Sequence, residues 1–277
     1  MSGMGRQLPG DRSRVVLIGA IIRGIVYLVL LVPPTIFLLH AFATRWFYPQ
    51  LWPREWSLAA LRRQLGDPQT SASLATSVVV AAIVTALSLV IAYPAARTIG
   101  LRRLRGGGIF ELLFLLPTTV PTVAIGMGLN IFALRIGLAG TLLGVVMAQL
   151  IPVLPYTFFA LVGVFARYDP NYEYQALALG AARPRVFLHV TLPLVLPGVM
   201  VATLLAFLVS WSQYLLTLLI GGGRIQTLPL LLFAAAAGGN TTSIAVLALF
   251  FILPPLVIIA FAARYLTSRS TVIEGQY

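Results

Sequence analysis

The sequence predicts an all-α, polytopic membrane protein with six transmembrane helices and both termini in the cytoplasm. Composition is the first reason: of 277 residues, 59% are hydrophobic and only 9% are charged, whereas about a quarter of the residues in a soluble domain are charged. The second reason is length, because six apolar runs reach the roughly 20 residues that a helix needs to cross a bilayer. Strands of a membrane barrel are only about 10 residues long and alternate in polarity, so they do not fit.

The distribution of arginine predicts the orientation. All 19 basic residues are arginines, and thirteen of them fall on the N-terminal side of the membrane when the spans alternate. Basic loops stay in the cytoplasm, so the net charge of +12 reflects topology rather than nucleic-acid binding. The predicted spans are Val15–Ala43, Ala72–Ala96, Ile109–Leu134, Thr141–Ala166, Leu194–Leu219 and Ile244–Ala263.

The first span and the loop after it form a separate N-terminal part. Residues 1–14 are a predicted cytoplasmic tail, and residues 15–43 are a transmembrane helix at the periphery of the bundle. A signal peptide is the alternative for this segment, but its apolar region is usually only about 7–15 residues long. Residues 44–71 are a predicted extracytoplasmic loop, in which residues 57–66 have the serine start, glycine end and apolar stripe of a short interfacial helix. Residues 267–277 are a second cytoplasmic tail.

The chain lacks the residues that most catalytic and metal sites require. It has no cysteine and no lysine, which excludes Cys-ligated metals and a Walker A nucleotide site. Its two histidines, His40 and His189, are predicted on opposite sides of the membrane, and its seven acidic residues are scattered. We therefore expect neither an enzyme nor a metal site. An ion-coupled secondary transporter is the alternative of a different class, although no span has the central acidic residue typical of such proteins.

One cytoplasmic segment, residues 168–191, has the pattern of a helical hairpin. Asp169 and Pro170 are typical of a helix start, and Gly180 is suited to end that helix or turn the chain. A second helix is predicted from about Pro184 to Val190, directly before the next span. Two short helices joined at a glycine would form a knob on the membrane face that a cytoplasmic partner could grip. We call residues 168–191 the coupling loop.

The coupling loop resembles the signature loop of the inner-membrane permeases of type I ABC importers. That signature is Glu-Ala-Ala, three variable residues, Gly, about nine residues, then a hydrophobic residue, a variable residue and Leu-Pro. The residues in register are Ala176, Gly180, Val190, Leu192 and Pro193, and Ala181 and Pro197 extend the likeness. Tyr174 and Gln175 replace the Glu-Ala pair, and Glu173 stands one residue early. At the position of the family's glutamate this chain therefore has Tyr174, from which no salt bridge is expected.

The resemblance covers roughly residues 72–266, and it implies a permease core with five of the six helices. It further implies the type I ABC importer permease fold in a bacterial inner membrane and half of a substrate translocation pathway. The implied partners are a second, similar or identical permease subunit, two ATPase subunits that bind the ATP and Mg, and an extracytoplasmic substrate-binding protein. The cargo would be a small polar solute, by likeness to permeases for polyamines, ferric iron, oxyanions, thiamine or aminophosphonates. Sugar permeases of the same family are the alternative.

The same resemblance implies the candidate ATPase-contacting residues, and the polar and helix-breaking residues of the spans supply the other candidates. Contact with the ATPase is expected from the coupling loop and the start of the next span, at Glu173, Tyr174, Gln175, Ala176, Gly180, Ala181, Arg183, Phe187, Leu192 and Pro193. Candidates for the substrate pathway are the polar residues in or near the third to fifth spans: Asn130, Gln149, Ser210, Ser212, Gln213 and Tyr214. Interhelical hydrogen bonding is the alternative role for these six. Helix hinges are expected where Pro or Gly interrupts a span, at Pro117, Pro121, Gly126, Pro152 and Pro155.

Overall fold

The structure is a computed structural model, and it describes residues 10–44, 46, 50, 52–53, 55–101 and 107–274. Almost all regular structure in these ranges is helical, apart from one antiparallel pair of two-residue strands, β1 and β2, in the loop after the first helix. Parts of the two predicted cytoplasmic tails, residues 1–9 and 275–277, lie outside the described residues. The elements are α1 (Gly10–Leu39), a 3-10 turn (His40–Phe42), β1 (Ala43–Thr44), β2 (Glu55–Trp56), α2 (Ala59–Leu65), α3 (Pro68–Gly100), α4 (Gly107–Thr119), α5 (Thr122–Arg135), α6 (Leu142–Ala166), α7 (Asn171–Ala178), α8 (Arg183–Val186), a π-helical stretch (Phe187–Thr191), α9 (Leu192–Trp211), α10 (Leu215–Gly221), α11 (Leu228–Ala237) and α12 (Thr241–Glu274).

Five helices in the described ranges are long and apolar enough to cross a membrane, and there are six crossings if one bent pair of helices is counted as a single span. The five are α1, α3, α6, the continuous segment from α8 to α9, and α12. The bent pair corrects the predicted third span, since α4 and α5 meet at an angle of 96°. Pro121 lies at this break and has no N–H with which to continue the helix. We call the break between Thr119 and Thr122 the elbow.

The predicted fifth span, Leu194–Leu219, is also corrected, because it is not one continuous helix. The helix ends at Trp211, and a separate short helix, α10, begins at Leu215. Gly222 and Gly223 then turn the chain with positive φ angles of 52° and 78°. The chain next forms α11, an apolar helix that the sequence reading did not predict.

The helix α3 is capped at its start by a carboxylate. Asp67 accepts hydrogen bonds from the backbone N–H of Thr70 at 3.0 Å and from the Thr70 hydroxyl at 2.8 Å. Pro68 occupies the first helical position, where a missing N–H costs nothing. The bond from the Thr70 hydroxyl holds the pKa of Asp67 below its ordinary value, because it stabilises the charged form.

The helices α3, α6 and α9 pack together at the centre of the bundle. The buried side of α3 consists mostly of small residues, which let membrane helices approach closely. At its inner end Gly100 lies directly against α6, and a Cβ there would come within 2.6 Å of the Phe165 Cβ. By contrast, α1 packs mainly against α12 and the adjoining 3-10 turn, and its large apolar side chains from Ile18 to Ile36 are exposed.

Candidate functional site

The coupling loop is a two-helix hairpin with a glycine corner. The first helix, α7, ends in a Schellman turn: the N–H of Ala181 donates to the Ala176 carbonyl at 3.1 Å, and the N–H of Gly180 donates to the Leu177 carbonyl at 2.9 Å. Gly180 has a φ of +84°, which glycine adopts without the strain that a Cβ causes. The chain returns through α8 and the π-helical stretch and continues into α9.

Apolar side chains are exposed on this hairpin. Leu179 beside the corner is 89% exposed and Leu188 is 55% exposed, and Tyr174 and Leu177 are exposed as well. Gln175 and Arg183 are exposed polar residues of the same hairpin. The last two of the expected contact residues, Leu192 and Pro193, are half-buried at the start of α9. An exposed apolar patch framed by polar residues is typical of a protein interface.

Glu173 points inward from the hairpin and does make an ion pair, within the chain itself. Its Oε2 atom pairs with a guanidinium N–H of Arg97, in the last turn of α3. Its Oε1 atom accepts hydrogen bonds from the Tyr168 hydroxyl at 3.0 Å and from the Thr191 hydroxyl at 2.8 Å. The sequence reading missed this contact because Arg97 is 76 residues away along the chain. We call these four residues the Glu173 junction.

The hydroxyl of Tyr168 remains a hydrogen-bond donor at any physiological pH. Burial raises its pKa to about 12, and the bond to Glu173 adds to this effect, since both disfavour the phenolate. A cavity of about 550 Å³ lies between α3 and the hairpin, and its lining includes Arg97, Glu173, Arg183 and Phe187. Among the described residues no group of three His, Cys, Asp or Glu side chains could hold a metal ion.

Two of the six pathway candidates are buried and bonded to each other. Gln149 on α6 is 1% exposed and Ser210 on α9 is 3% exposed. The Ser210 hydroxyl donates to Gln149 Oε1 at 2.6 Å, and Gln149 Nε2 donates to the Thr217 hydroxyl on α10 at 2.9 Å. These contacts favour the interhelical alternative for Gln149 and Ser210.

The other four pathway candidates retain exposed surface. Asn130 on α5, Gln213 and Tyr214 are half-buried, and Ser212 is exposed. Ser212, Gln213 and Tyr214 form the break between α9 and α10, and α5 packs against α10. The Tyr214 ring stacks on Phe233 of α11 with 4.1 Å between centroids. The polar break therefore lies where α9, α10 and α11 meet.

Of the hinge candidates, only Pro121 lies at a break. Pro117 lies within α4, and Pro152 and Pro155 lie within α6, which continues as one helix. Gly126 serves close packing instead, because a Cβ there would lie 2.6 Å from Leu219 Cδ1 on α10.

Known proteins resemble this chain in sequence and in fold. Residues 88–272 match the family model of the binding-protein-dependent transport system inner membrane component. A molybdenum transport system permease protein of Mycobacterium tuberculosis is 34% identical over 194 residues, which are 65% of this chain and 71% of that protein. A diacetylchitobiose uptake system permease protein of Streptomyces coelicolor is 26% identical over 158 residues, which are 57% of each chain.

A solved structure shares the fold across nearly the whole chain. It is a bacterial ABC transporter involved in the import of the acidic polysaccharide alginate, with a TM-score of 0.73 at 18% identity, covering 96% of this chain and 99% of that one. The likeness confirms the predicted all-α polytopic fold, and the family match spans the coupling loop and most of the packed core. The chain belongs to the binding-protein-dependent transport system inner membrane component family, and it is the permease subunit of an ABC importer.

Proposed function

We propose that this permease is driven by separate ATPase subunits that grip the coupling loop. The observation that carries the proposal is the hairpin itself, whose exposed apolar side chains surround a corner fixed by Gly180. A groove on a partner could bury Leu179, which is 89% exposed. Without lysine the chain has no Walker A motif, so the ATP and Mg would be bound by the partner, and this chain would be a non-catalytic transport subunit.

The proposed assembly contains a second permease subunit, identical or similar, and an external substrate-binding protein in a bacterial inner membrane. The family description names binding-protein-dependent transport. One solved neighbour with a TM-score of 0.57 is an alginate transporter in complex with a pentasaccharide-bound periplasmic protein, which supports docking of such a protein by analogy of fold. The polar break at Ser212–Tyr214 is the proposed contact with the cargo, because polar side chains can replace the water around a hydrophilic solute.

The proposed cargo is a small oxyanion, such as an oxyanion of molybdenum. The relatives named for molybdenum transport are 32–34% identical to this chain, whereas the diacetylchitobiose permease is 26% identical. A sugar is therefore the second candidate. Uptake of radiolabelled molybdate and of a labelled disaccharide by the assembled transporter, each with its cognate binding protein, distinguishes the two.

Co-purification with the ATPase tests the proposed coupling. Gly180→Val places a β-branched residue at a φ of +84°, which costs at least about 1–2 kcal/mol, so we expect loss of the ATPase from the purified complex with normal membrane insertion. Gly223→Val is the matched control, since it introduces the same strain at a φ of 78° far from the hairpin. The proposal is wrong if the wild-type chain hydrolyses ATP alone, or if Gly180→Val transports normally.

Thiol labelling tests the orientation that places the hairpin in the cytoplasm. The chain contains no cysteine, so single cysteines at Ser57, Arg183 and Arg224 give an unambiguous signal. An impermeant reagent added to intact cells should label positions 57 and 224 only. Labelling at position 183 would overturn the orientation and the coupling proposal with it.

A further inference from the structure

One carboxylate joins four elements at the inner end of the bundle. Glu173 lies in the first turn of α7, and its three partners belong to three other segments. Arg97 lies in the last turn of α3, Tyr168 follows the end of α6 directly, and Thr191 precedes the start of α9. The Glu173 junction therefore ties the coupling loop to α3 through Arg97, and it holds together the two ends of the loop, Tyr168 and Thr191, which adjoin α6 and α9.

The junction is sheltered from water. The Glu173 side chain is 12% exposed, the Arg97 side chain is 29% exposed, and Thr191 is 1% exposed. Hydrogen bonds to a charged group are roughly twice as strong as neutral ones, and low exposure reduces screening by solvent. Three donors on one carboxylate also leave little freedom for the Glu173 side chain to rotate.

An aromatic layer lies beside the junction and connects the same elements. Phe187 of the hairpin packs edge-on against Tyr93 of α3, with 6.0 Å between ring centroids, and Tyr93 packs edge-on against Phe165 of α6 at 5.2 Å. The inner ends of α3 and α6 are already in tight contact at Gly100. The hairpin is thus held to the bundle by polar and by apolar contacts at the same level.

We infer that Glu173 is a positioning residue, which clamps α7 to α3 and to the two ends of the coupling loop that adjoin α6 and α9, so that the loop and these three helices move as one body. The inference rests on the proposed coupling of this loop to an ATPase. Closure of the ATPases would push on the exposed corner of the hairpin. With the clamp, the displacement reaches all three helices; without it, the hairpin bends at its ends and the helices stay in place. The glutamate thereby acts within the permease and leaves the exposed corner free for the partner.

The test compares transport with ATP hydrolysis in reconstituted complexes that contain permease, ATPase and binding protein. Glu173→Gln removes the charge but keeps the size of the side chain. We expect uptake to fall about 10-fold, which lies within the roughly 5–150-fold effects of typical coupling between sites. ATP hydrolysis should continue at its normal rate, so the amount of ATP consumed per molecule of cargo rises by the same factor. Glu111→Gln is the matched control, because Glu111 is an exposed carboxylate in α4 on the same predicted side.

A second variant separates the clamp from a general effect on folding. Arg97→Gln alone should raise the ATP consumed per cargo in the same way, and the double variant should be no worse than either single one, since contacting residues are not additive. A normal ratio in Glu173→Gln overturns the inference, as do additive losses or a parallel fall of both activities with the amount of assembled complex. Failure of the wild-type permease to associate with an ATPase would instead reject the proposed function.

Discussion

Replacing Gln149 with leucine should destabilise the permease without removing a contact to the cargo. The side chain is 1% exposed and forms two interhelical hydrogen bonds, as acceptor from Ser210 and as donor to Thr217. Leucine has a similar volume, so the main loss is the two bonds, which join α6 to α9 and α6 to α10. The alternative is that Gln149 lines the substrate pathway, which was one of the two roles considered for it from the sequence.

The expected magnitude follows from the number of bonds. Interhelical hydrogen bonds in a membrane contribute on average about 0.6 kcal/mol and at most about 1.7 kcal/mol each, so the loss of two costs about 1–3 kcal/mol. Each kcal/mol lowers the melting temperature by about 2–4 °C in domains of comparable size. We expect a shift of roughly 2–12 °C for Gln149→Leu, and about half of that for Ser210→Ala, which removes one bond.

The assay pairs two measurements on the same preparations. The apparent melting temperature of the purified permease is read at one heating rate, and uptake is measured per assembled complex in proteoliposomes. Gln213→Leu is the matched control, since this half-buried residue lies at the exposed polar break and its backbone carbonyl keeps the bond from Thr217. It should keep the melting temperature and lower uptake. An unchanged melting temperature for Gln149→Leu together with lost uptake would refute our assignment and return Gln149 to the pathway.

Two further predictions concern packing and pH. Gly198→Leu should destabilise the fold by about 1–3 kcal/mol through overpacking, because a Cβ at Gly198 would lie only 2.0 Å from Val164 Cγ2; Gly163→Ala, where nothing lies within 4 Å, should be tolerated in the same melting assay. Asp67 has a pKa below its ordinary 3.8 in the folded chain, so its contribution to stability is present above that value and disappears as the pH falls through the folded pKa. Asp67→Asn should therefore melt with a weaker dependence on pH in this acidic range, and an unchanged dependence would contradict the capping role.

The sequence was sufficient for the five long apolar helices and for the helical hairpin at residues 168–191, because both depend on local patterns. Apolar runs of fixed length place helices in a membrane, and a glycine after a short helix predicts a turn such as that at Gly180. The partner of Glu173 depends on how α3 packs against the hairpin, which no local pattern contains. The pairing of Gln149 with Ser210 has the same origin, since a polar residue in an apolar run looks alike whether it meets a neighbouring helix or the cargo.

The sharp bend in the predicted third span could not be predicted from hydropathy, for a related reason. A run of apolar residues indicates that a segment is stable in an apolar environment, but it does not indicate the direction of the helix axis. Pro121 permits either a modest kink or a full break, and the surrounding packing decides between them. The close approach of Gly126 to Leu219 shows that α5 is held by α10, which gives the second half of the span a direction of its own.

The elbow between α4 and α5 has a consequence for what can surround it. The hydroxyls of Thr118 and Thr119 donate to the carbonyls of Leu115 and Leu116 at this helix end, but Pro121 has no N–H to offer the carbonyl of Pro117. Residues 118–122 are exposed on this chain. Hydrocarbon tails have no donors, and an open backbone group among them costs several kcal/mol. An elbow at the depth of the hydrocarbon core would therefore need water or the polar groups of another protein surface beside it, and this part of an otherwise apolar surface could not face the lipid tails.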